Sequence, residues 1–340
     1  MSFNSVNTNR QAVFALQSLN MTNSELSGVQ KRVSTGYRVA DARDDGGAFA
    51  VAQAVRSDIA GVTAVGEQLG GTRGILSTTF AALGVVSDTM KQVRGVLTRL
   101  ADAAVTGSTR TQYETQYQDL VKQINAFIDD AKYNGRTLLA NSTVATEVAR
   151  FDITGIRNET GGTFTIKAAS GAAMKLAIDA FVPSEAETTA ATNKVKTAIT
   201  TELAATVAGW TSKTDAEKST LVDAALASAD GRARLDAEIS NTKVAKALAW
   251  IQPDGAFVKA DQNISTALNQ FGSSMQYVDN QITYNAKKMD AMNDGIGALV
   301  DADLAKESSK LQALQTRQQL GVQTLGIANQ GPQVLLSLFR

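Results

Sequence analysis

The stretch that decides the fold is residues 304–338, LAKESSKLQALQTRQQLGVQTLGIANQGPQVLLSL. Apolar residues recur there at multiples of seven, and the same spacing is present near the other end of the chain. Heptad spacing of apolar residues is typical of the contact seam of a coiled coil. The residues that carry the pattern are Leu19, Leu26, Val33, Leu304, Leu311, Leu325 and, as a second stripe, Leu320, Ile327 and Val334. The pattern predicts that a helix near each end packs against the other.

Both ends are poor in charge. Residues 1–30 contain only Arg10 and Glu25 as charged side chains, and residues 311–340 contain only Arg317 and Arg340. An average surface stretch of that length carries about seven charges at the usual charged fraction. Asparagine and glutamine lie between the apolar stripes, and neutral amides are less costly to bury than charges. We therefore expect the ends to become ordered by packing against other copies of the chain, with an ordinary intramolecular helix pair as the alternative.

Inward of the first stripe, Ser34-Thr35-Gly36 is a helix-stop signal, and an acidic linker follows from Asp41 to Gly47. Beyond it, apolar residues at spacings of three and four are typical of amphipathic helices. The helices predicted from this spacing cover about residues 48–104, 109–131 and 260–297. The sequence thus predicts one helical bundle built from distant parts of the chain.

The middle of the chain has a different pattern. Phe151-Asp152-Ile153 and Thr163 to Ile166 alternate with period two around Gly161-Gly162, which predicts two short strands in a hairpin. Pro183 and Pro253 bracket residues 184–252, which are rich in Ala, Thr, Lys and Glu. The predicted fold is mainly α, a long antiparallel helical bundle with a terminal coiled coil, a small β-hairpin region and an inserted, mostly helical outer subdomain.

The amino-acid composition lacks the side chains that most enzymes use for catalysis or for binding zinc. The 340 residues include no cysteine and no histidine, so thiolate nucleophiles, imidazole acid–base groups and most zinc ligands are missing. The formal net charge is zero, with 33 basic and 33 acidic residues, which gives no global attraction to nucleic acid or to an anionic membrane. No run of about 18 apolar residues is present for a membrane span. We expect no enzyme activity, no cofactor and no metal site, and neither nucleic acid nor membrane as a partner.

Three stretches are similar to bacterial flagellin. They are Ser5 to Asn9, the run RVSTGYRVADARDD at residues 32–45, and Val300 to Arg340. The resemblance covers about residues 1–140 and 260–340. It implies an inner coiled-coil domain at 1–40 and 301–340, an outer tube with a β-hairpin at 41–182 and 253–300, and a variable surface insert at 183–252.

By this resemblance the chain is expected to be a structural subunit that polymerises into the helical flagellar filament used for swimming motility. The interface residues would be Leu19, Leu26, Val33, Leu304, Leu311, Leu325, Ile327 and Val334. The resemblance also implies an extracellular location, export through the flagellar type III channel without a cleaved signal peptide, and an export chaperone, a filament cap and hook-junction proteins as partners.

Two alternatives stay open at the sequence level. A hook–filament junction protein shares flagellin-like ends but does not polymerise indefinitely. A secreted binding protein displayed through residues 184–252 would need a cleft with convergent titratable groups.

In the flagellin family, the stretch recognised by a vertebrate Toll-like receptor would fall near Met90 to Asp102. This sequence has Gln92 where an arginine is usual and Val96 where a leucine is usual, with Arg94 and Asp119 expected on the same face. We expect this face to serve chiefly as a contact between stacked subunits.

Overall fold

A computed structural model describes the backbone of residues 9–337 and the side chains of residues 9–330. Its helices are α1 (Arg10–Thr35), α2 (Gly46–Leu100), α3 (Gly107–Asp130), α4 (Ala145–Val148), α5 (Glu185–Thr206), α6 (Asp215–Ala227), α7 (Ala229–Ile251), α8 (Ala256–Val300) and α9 (Leu304–Ser337). Its strands are β1 (Leu139–Ala140), β2 (Ile153–Ile156), β3 (Thr163–Ile166) and β4 (Ala169–Ser170). The mainly helical fold predicted from the sequence is confirmed.

The described residues form two compact units, one from both ends of the chain, 9–66 and 283–337, and one from its middle, 67–282. In the first, α1 begins after Asn9, whose side chain accepts a hydrogen bond from the backbone N–H of Ala12. It ends at Gly36, which has φ of 75° and donates its N–H to the carbonyl of Arg32. Glycine adopts this left-handed conformation without a steric penalty, so the predicted helix stop is confirmed.

The chain between α1 and α2 is held to the end of α8. Arg38 and Val39 both donate backbone N–H groups to the carbonyl of Val300, at 2.7 and 3.2 Å. Val39 and Val300 are buried together with Ala52 of α2. This apolar cluster fixes the direction in which the chain leaves α1.

The second unit has its core between α2, α3 and α8. The largest fully buried side chains of these helices are Leu69, Leu76, Leu83, Met90, Leu97, Leu100, Tyr117, Ile124, Phe257 and Phe271. The Tyr117 hydroxyl donates to the carbonyl of Ala177 at 2.9 Å, and burial raises the pKa of this phenol. The predicted bundle of three helices from distant parts of the chain is therefore present.

The helix predicted over 48–104 ends earlier, at Leu100. The reason is Arg110, a buried side chain that donates to the carbonyls of Leu100, Asp102 and Val105 at 3.0, 2.9 and 2.8 Å. These bonds hold residues 101–106 in a turn, because the guanidinium replaces the helical partners that those carbonyls lack.

The hairpin is confirmed with one shift. Strands β2 and β3 pair antiparallel, with Ile153 opposite Ile166, and Gly161 at φ 83° lies in the turn. Phe151 is not in the strand as predicted but in a 3-10 turn, since the N–H of Asp152 donates to the carbonyl of Ala149. A second, parallel pair joins β1 to β4, with Leu139 opposite Ala169.

The insert consists of α5, α6 and α7. Its own apolar core contains Val195, Ile199, Trp210 and Val222. Capping boxes begin α5 at Ser184 and α6 at Thr214, each with a glutamate at the third helical position. The mostly helical insert predicted from the sequence is therefore present.

Aromatic rings join the insert to the bundle within the second unit. The Trp250 ring of α7 lies 6.0 Å from the Tyr117 ring and 5.9 Å from the Phe181 ring, centroid to centroid. Edge-on and tilted ring contacts at this distance stabilise a junction beyond their area burial.

Within the described residues, α2 is long and apolar enough to cross a membrane by length and composition, contrary to the expectation from the sequence. An Ala- and Val-rich helix reaches the necessary mean hydropathy without an unbroken apolar run. The core helix of a soluble bundle meets the same criterion, and α2 supplies much of the bundle core.

Candidate assembly surface

The terminal helices α1 and α9 share an apolar seam. Leu26 and Val29 of α1 are buried against Leu314 of α9, with Val33 and Leu311 partly buried beside them. The positions on α1 are three and four residues apart and those on α9 are three apart, as in a coiled coil. Farther along, Gly321 gives the helices room to approach, because a Cβ there would lie 3.3 Å from Cδ1 of Leu19.

Polar bonds complete the seam. Arg32 Nη1 lies 3.2 Å from Glu307 Oε1, and Gln318 Nε2 donates to Asn23 Oδ1 at 2.8 Å. Asn9 Nδ2 donates to the carbonyl of Ala328 at 2.7 Å. Such bonds fix the register of one helix on the other because each needs a particular partner opposite.

The predicted interface residues divide between two environments. Leu26 is buried in the seam, and the half-buried members of the seam are Leu19, Val33, Leu311 and Leu325. Leu304 and Ile327 are instead 50% and 70% exposed. Val334 lies in the part of α9 whose side chains are outside the described residues.

A second apolar stripe, which we call the outer stripe, consists of Phe14, Met21, Leu320 and Ile327. Met21 and Ile327 each lie two residues after a leucine of the seam, Phe14 and Leu320 lie seven residues before them, and all four are more than half exposed. Phe14 and Met21 were not among the predicted interface residues, although they are seven residues apart, the spacing that identified the other stripes. Val13, Leu16 and Val322 add exposed apolar area on the same two helices. Apolar side chains clustered on a surface mark an interaction site.

An ion cluster lies where α1 meets the linker. Lys31 Nζ lies 2.9 Å from Asp41 Oδ2 and 2.8 Å from Asp44 Oδ2. The hydrogen bond from Lys31 lowers the pKa of the Asp41 carboxyl to about 2 and also lowers the pKa of Asp44. Asp44 in turn accepts the backbone N–H groups of Ala40 and Asp41. The cluster therefore holds the backbone of the linker in one conformation.

The residues predicted on the receptor-like face also differ in exposure. Gln92 and Asp119 are exposed, and Asp119 lies 3.4 Å from Lys122 Nζ. Arg94 lies 3.2 Å from Asp261 and over the Phe257 ring. Val96 is only 3% exposed, so it belongs to the bundle core and contributes nothing to that face.

An α-helical chain whose paired ends expose apolar stripes has the architecture of a self-assembling structural protein. Comparison with known families gives two matches. Residues 6–143 match the bacterial flagellin N-terminal helical region, and residues 256–339 match the bacterial flagellin C-terminal helical region.

Relatives match along the whole chain. Flagellin FljK of Caulobacter vibrioides is 31% identical over 340 residues, covering 100% of both chains. A flagellin of Brucella melitensis is 30% identical, and flagellin C of Rhizobium meliloti is 29% identical, each covering 99% of both chains. The chain belongs to the bacterial flagellin family.

Membership fixes the role of the chain. It is a structural subunit that polymerises with itself into the extracellular flagellar filament, and its role in motility follows from that filament. The family is one of structural proteins rather than enzymes.

Proposed function

We propose that the outer stripe and Leu304 form contacts between copies in the filament. The observation that supports this is the exposure of large apolar side chains on both terminal helices. Burying one such side chain contributes about 1.5–3 kcal/mol, so several of them favour a helix-rich contact that removes them from water. A contact between two different faces can repeat from copy to copy, and it produces an open filament when the rotation between copies does not close a ring.

We assign the seam a different task. Leu19, Leu26, Val33, Leu311 and Leu325 act indirectly, by holding α1 against α9 so that the outer stripes of the two helices are presented together. Val334 would extend the stripe of Leu320 and Ile327, since it follows Ile327 by seven residues.

The layered organisation is also a proposal. Residues 1–40 and 301–340 would form the inner coiled coil, 41–182 and 253–300 the outer tube, and 183–252 the solvent-facing insert. The charge-poor ends and the separate core of the insert support this assignment. Limited proteolysis of filaments tests it, because the insert should be cut first and the terminal helices should be protected.

We further propose export through the flagellar type III channel without a cleaved signal, with an export chaperone, a filament cap and hook-junction proteins as partners. Support comes from the resemblance of the ends to flagellin. Mass spectrometry of filaments tests the export route: the N-terminal peptide should begin at Met1 or Ser2, whereas a start deeper in the chain would contradict it.

On the bundle, we propose that exposed Gln92, Arg94 and Asp119 lie near a contact between stacked subunits. A thiol-reactive photo-crosslinker attached at Gln92→Cys, in a chain that otherwise has no cysteine, should join neighbouring copies in the filament, and such a cross-link would support this. Its absence in filaments that form normally would contradict it.

The outer stripe is tested by Leu320→Gln and Ile327→Gln, which introduce a polar side chain that is compatible with a helix. The matched control is Leu248→Gln, an exposed leucine of α7 in the insert. Polymerisation is measured by pelleting after seeding with sheared filaments, and helix content by circular dichroism. We expect the two α9 variants to keep their helix content and lose polymer, while the control polymerises. Normal polymer from both α9 variants would contradict the proposal.

A further inference from the structure

The methionines of the chain differ sharply in exposure. Met90 and Met174 are 1% exposed, and Met275, Met289 and Met292 are half-buried. Met21, in the outer stripe, is 61% exposed. Among the methionines of residues 9–330, it is the one that is mostly exposed in the single chain.

We propose that Met21 is an oxidation site through which peroxide blocks assembly of the free subunit. This inference rests on the proposed function, because it requires the outer stripe to be covered by other copies. The reactant class is a peroxide such as hydrogen peroxide, which reaches an extracellular subunit directly. Exposure sets the order in which thioethers react, so Met21 reacts before the half-buried and buried methionines.

The step is a two-electron oxygen transfer. The Met21 sulfur attacks one peroxide oxygen, the O–O bond breaks, and a sulfur–oxygen bond forms. The proton of the transferred hydroxyl passes to the other peroxide oxygen, which leaves as water, and the sulfur is thereby oxidised to the sulfoxide. Methionine sulfoxide reductases, one enzyme for each sulfoxide epimer, reduce the product back to methionine, so the block is reversible.

The consequence for assembly follows from polarity. The sulfoxide oxygen is a strong hydrogen-bond acceptor, and the outer stripe offers it apolar neighbours such as Phe14, one heptad away. Burying that oxygen without a donor is unfavourable, whereas it is fully hydrated in the free subunit. Oxidation therefore favours the free subunit. Oxidation of Met21 should leave the seam unchanged, because Met21 is not part of the apolar cluster that joins α1 to α9, although its neighbour Thr22 is buried.

The filament should in turn protect Met21. Once the outer stripe is covered, peroxide has no access to the sulfur, so an assembled filament resists a dose that inactivates free subunits. We therefore expect peroxide to oxidise Met21 in free subunits and to leave it unoxidised in filaments.

The test treats free subunits and seeded filaments with hydrogen peroxide and follows each methionine by peptide mass spectrometry. In free subunits we expect Met21 to oxidise at least about ten times faster than Met90 and Met174, and in filaments we expect its rate to fall by about the same factor. The critical concentration for polymerisation is then measured before and after oxidation. In the unsubstituted chain it should rise at least about tenfold, and treatment with the reductases for both sulfoxide epimers should restore it.

Two variants isolate the residue. For Met21→Leu, the ratio of critical concentrations after and before peroxide should stay near one, whatever its starting value. For the control Met292→Leu, the ratio should rise as in the unsubstituted chain.

Equal oxidation of Met21 in free subunits and filaments, or unchanged polymerisation of oxidised subunits, would overturn the inference and leave the filament role intact. Failure of the unoxidised chain to polymerise when seeded would instead count against the proposed contacts themselves.

Discussion

Arg110 shows how one buried side chain shapes the bundle. It is 4% exposed and donates to the carbonyl of Leu100 at the end of α2 and to two carbonyls of the following turn. Arg110→Met keeps most of the aliphatic stem but leaves these acceptors without their partner, so we expect a loss of about 2–4 kcal/mol in the free energy of unfolding. Urea denaturation followed by tryptophan fluorescence measures it, because Trp210 and Trp250 lie in the same unit. The exposed Arg150→Met is the control and should change little; equal stability of the two variants would refute the capping role.

The ion cluster around Lys31 should depend on pH. Folding lowers the pKa of Asp41 from 3.8 to about 2, so the charged form is favoured in the folded chain. The ion cluster is therefore intact above about pH 4 and is lost as the pH falls toward 2. Lys31→Gln should return the pKa of Asp41 toward 3.8. A carboxyl NMR titration measures this, with Lys310→Gln as a control on the same unit. An Asp41 pKa that stays near 2 in Lys31→Gln would show that another group holds it.

At the residue scale, the sequence predicted members of the assembly surface but not which of them lie in the seam and which lie on the outer stripe. Heptad spacing identifies Leu26 and Ile327 equally, because a repeat of seven selects any one face of a helix. Only the packing of α1 on α9 shows that Leu26 lies in the seam and Ile327 on the outer stripe. The hydrogen bonds of Arg110 were likewise not predictable from the sequence. Their acceptors are backbone carbonyls, which are the same in every residue type.

At the scale of elements, α1 offers a matched pair of glycines. A Cβ at either Gly28 or Gly36 would meet no atom within 4 Å, but Gly36 has φ of 75° and Gly28 lies inside the helix. Gly36→Ala should cost about 1–2 kcal/mol through left-handed strain, whereas Gly28→Ala should stabilise by about 0.5–1 kcal/mol through helix propensity. Thermal denaturation of the free subunit, followed by circular dichroism, should give shifts of opposite sign. Shifts of the same sign would contradict the assignment of Gly36 as the helix end.

Elements with local signals were predictable, and elements made by distant partners were not. The stop at Gly36 and the turn at Gly161 depend on glycine conformation within a few residues. The pairing of β1 with β4 joins two-residue strands that have no alternating pattern of their own. Their pairing depends on the surrounding packing, which a short stretch of sequence does not encode.

At the scale of the whole molecule, we expect assembly to depend on the unit formed by the chain ends and the middle unit to fold around its own core. Deleting residues 311–340 removes Leu314 from the seam, and with it the partner that buries Leu26 and Val29. It also removes Leu320 and Ile327 of the outer stripe. The middle unit keeps its own core, including Leu83 and Phe271, because none of it comes from the deleted residues.

We therefore expect the truncated chain to stay soluble and to show the same tryptophan-monitored urea transition as the full chain. We expect no filaments from it by negative-stain electron microscopy, even with seeds and with a salt such as sulfate that strengthens apolar burial. Filaments of normal width from the truncated chain would place the contacts between copies outside residues 311–340. Loss of the urea transition would instead show that the middle unit depends on the terminal helices for its stability, which its separate core argues against.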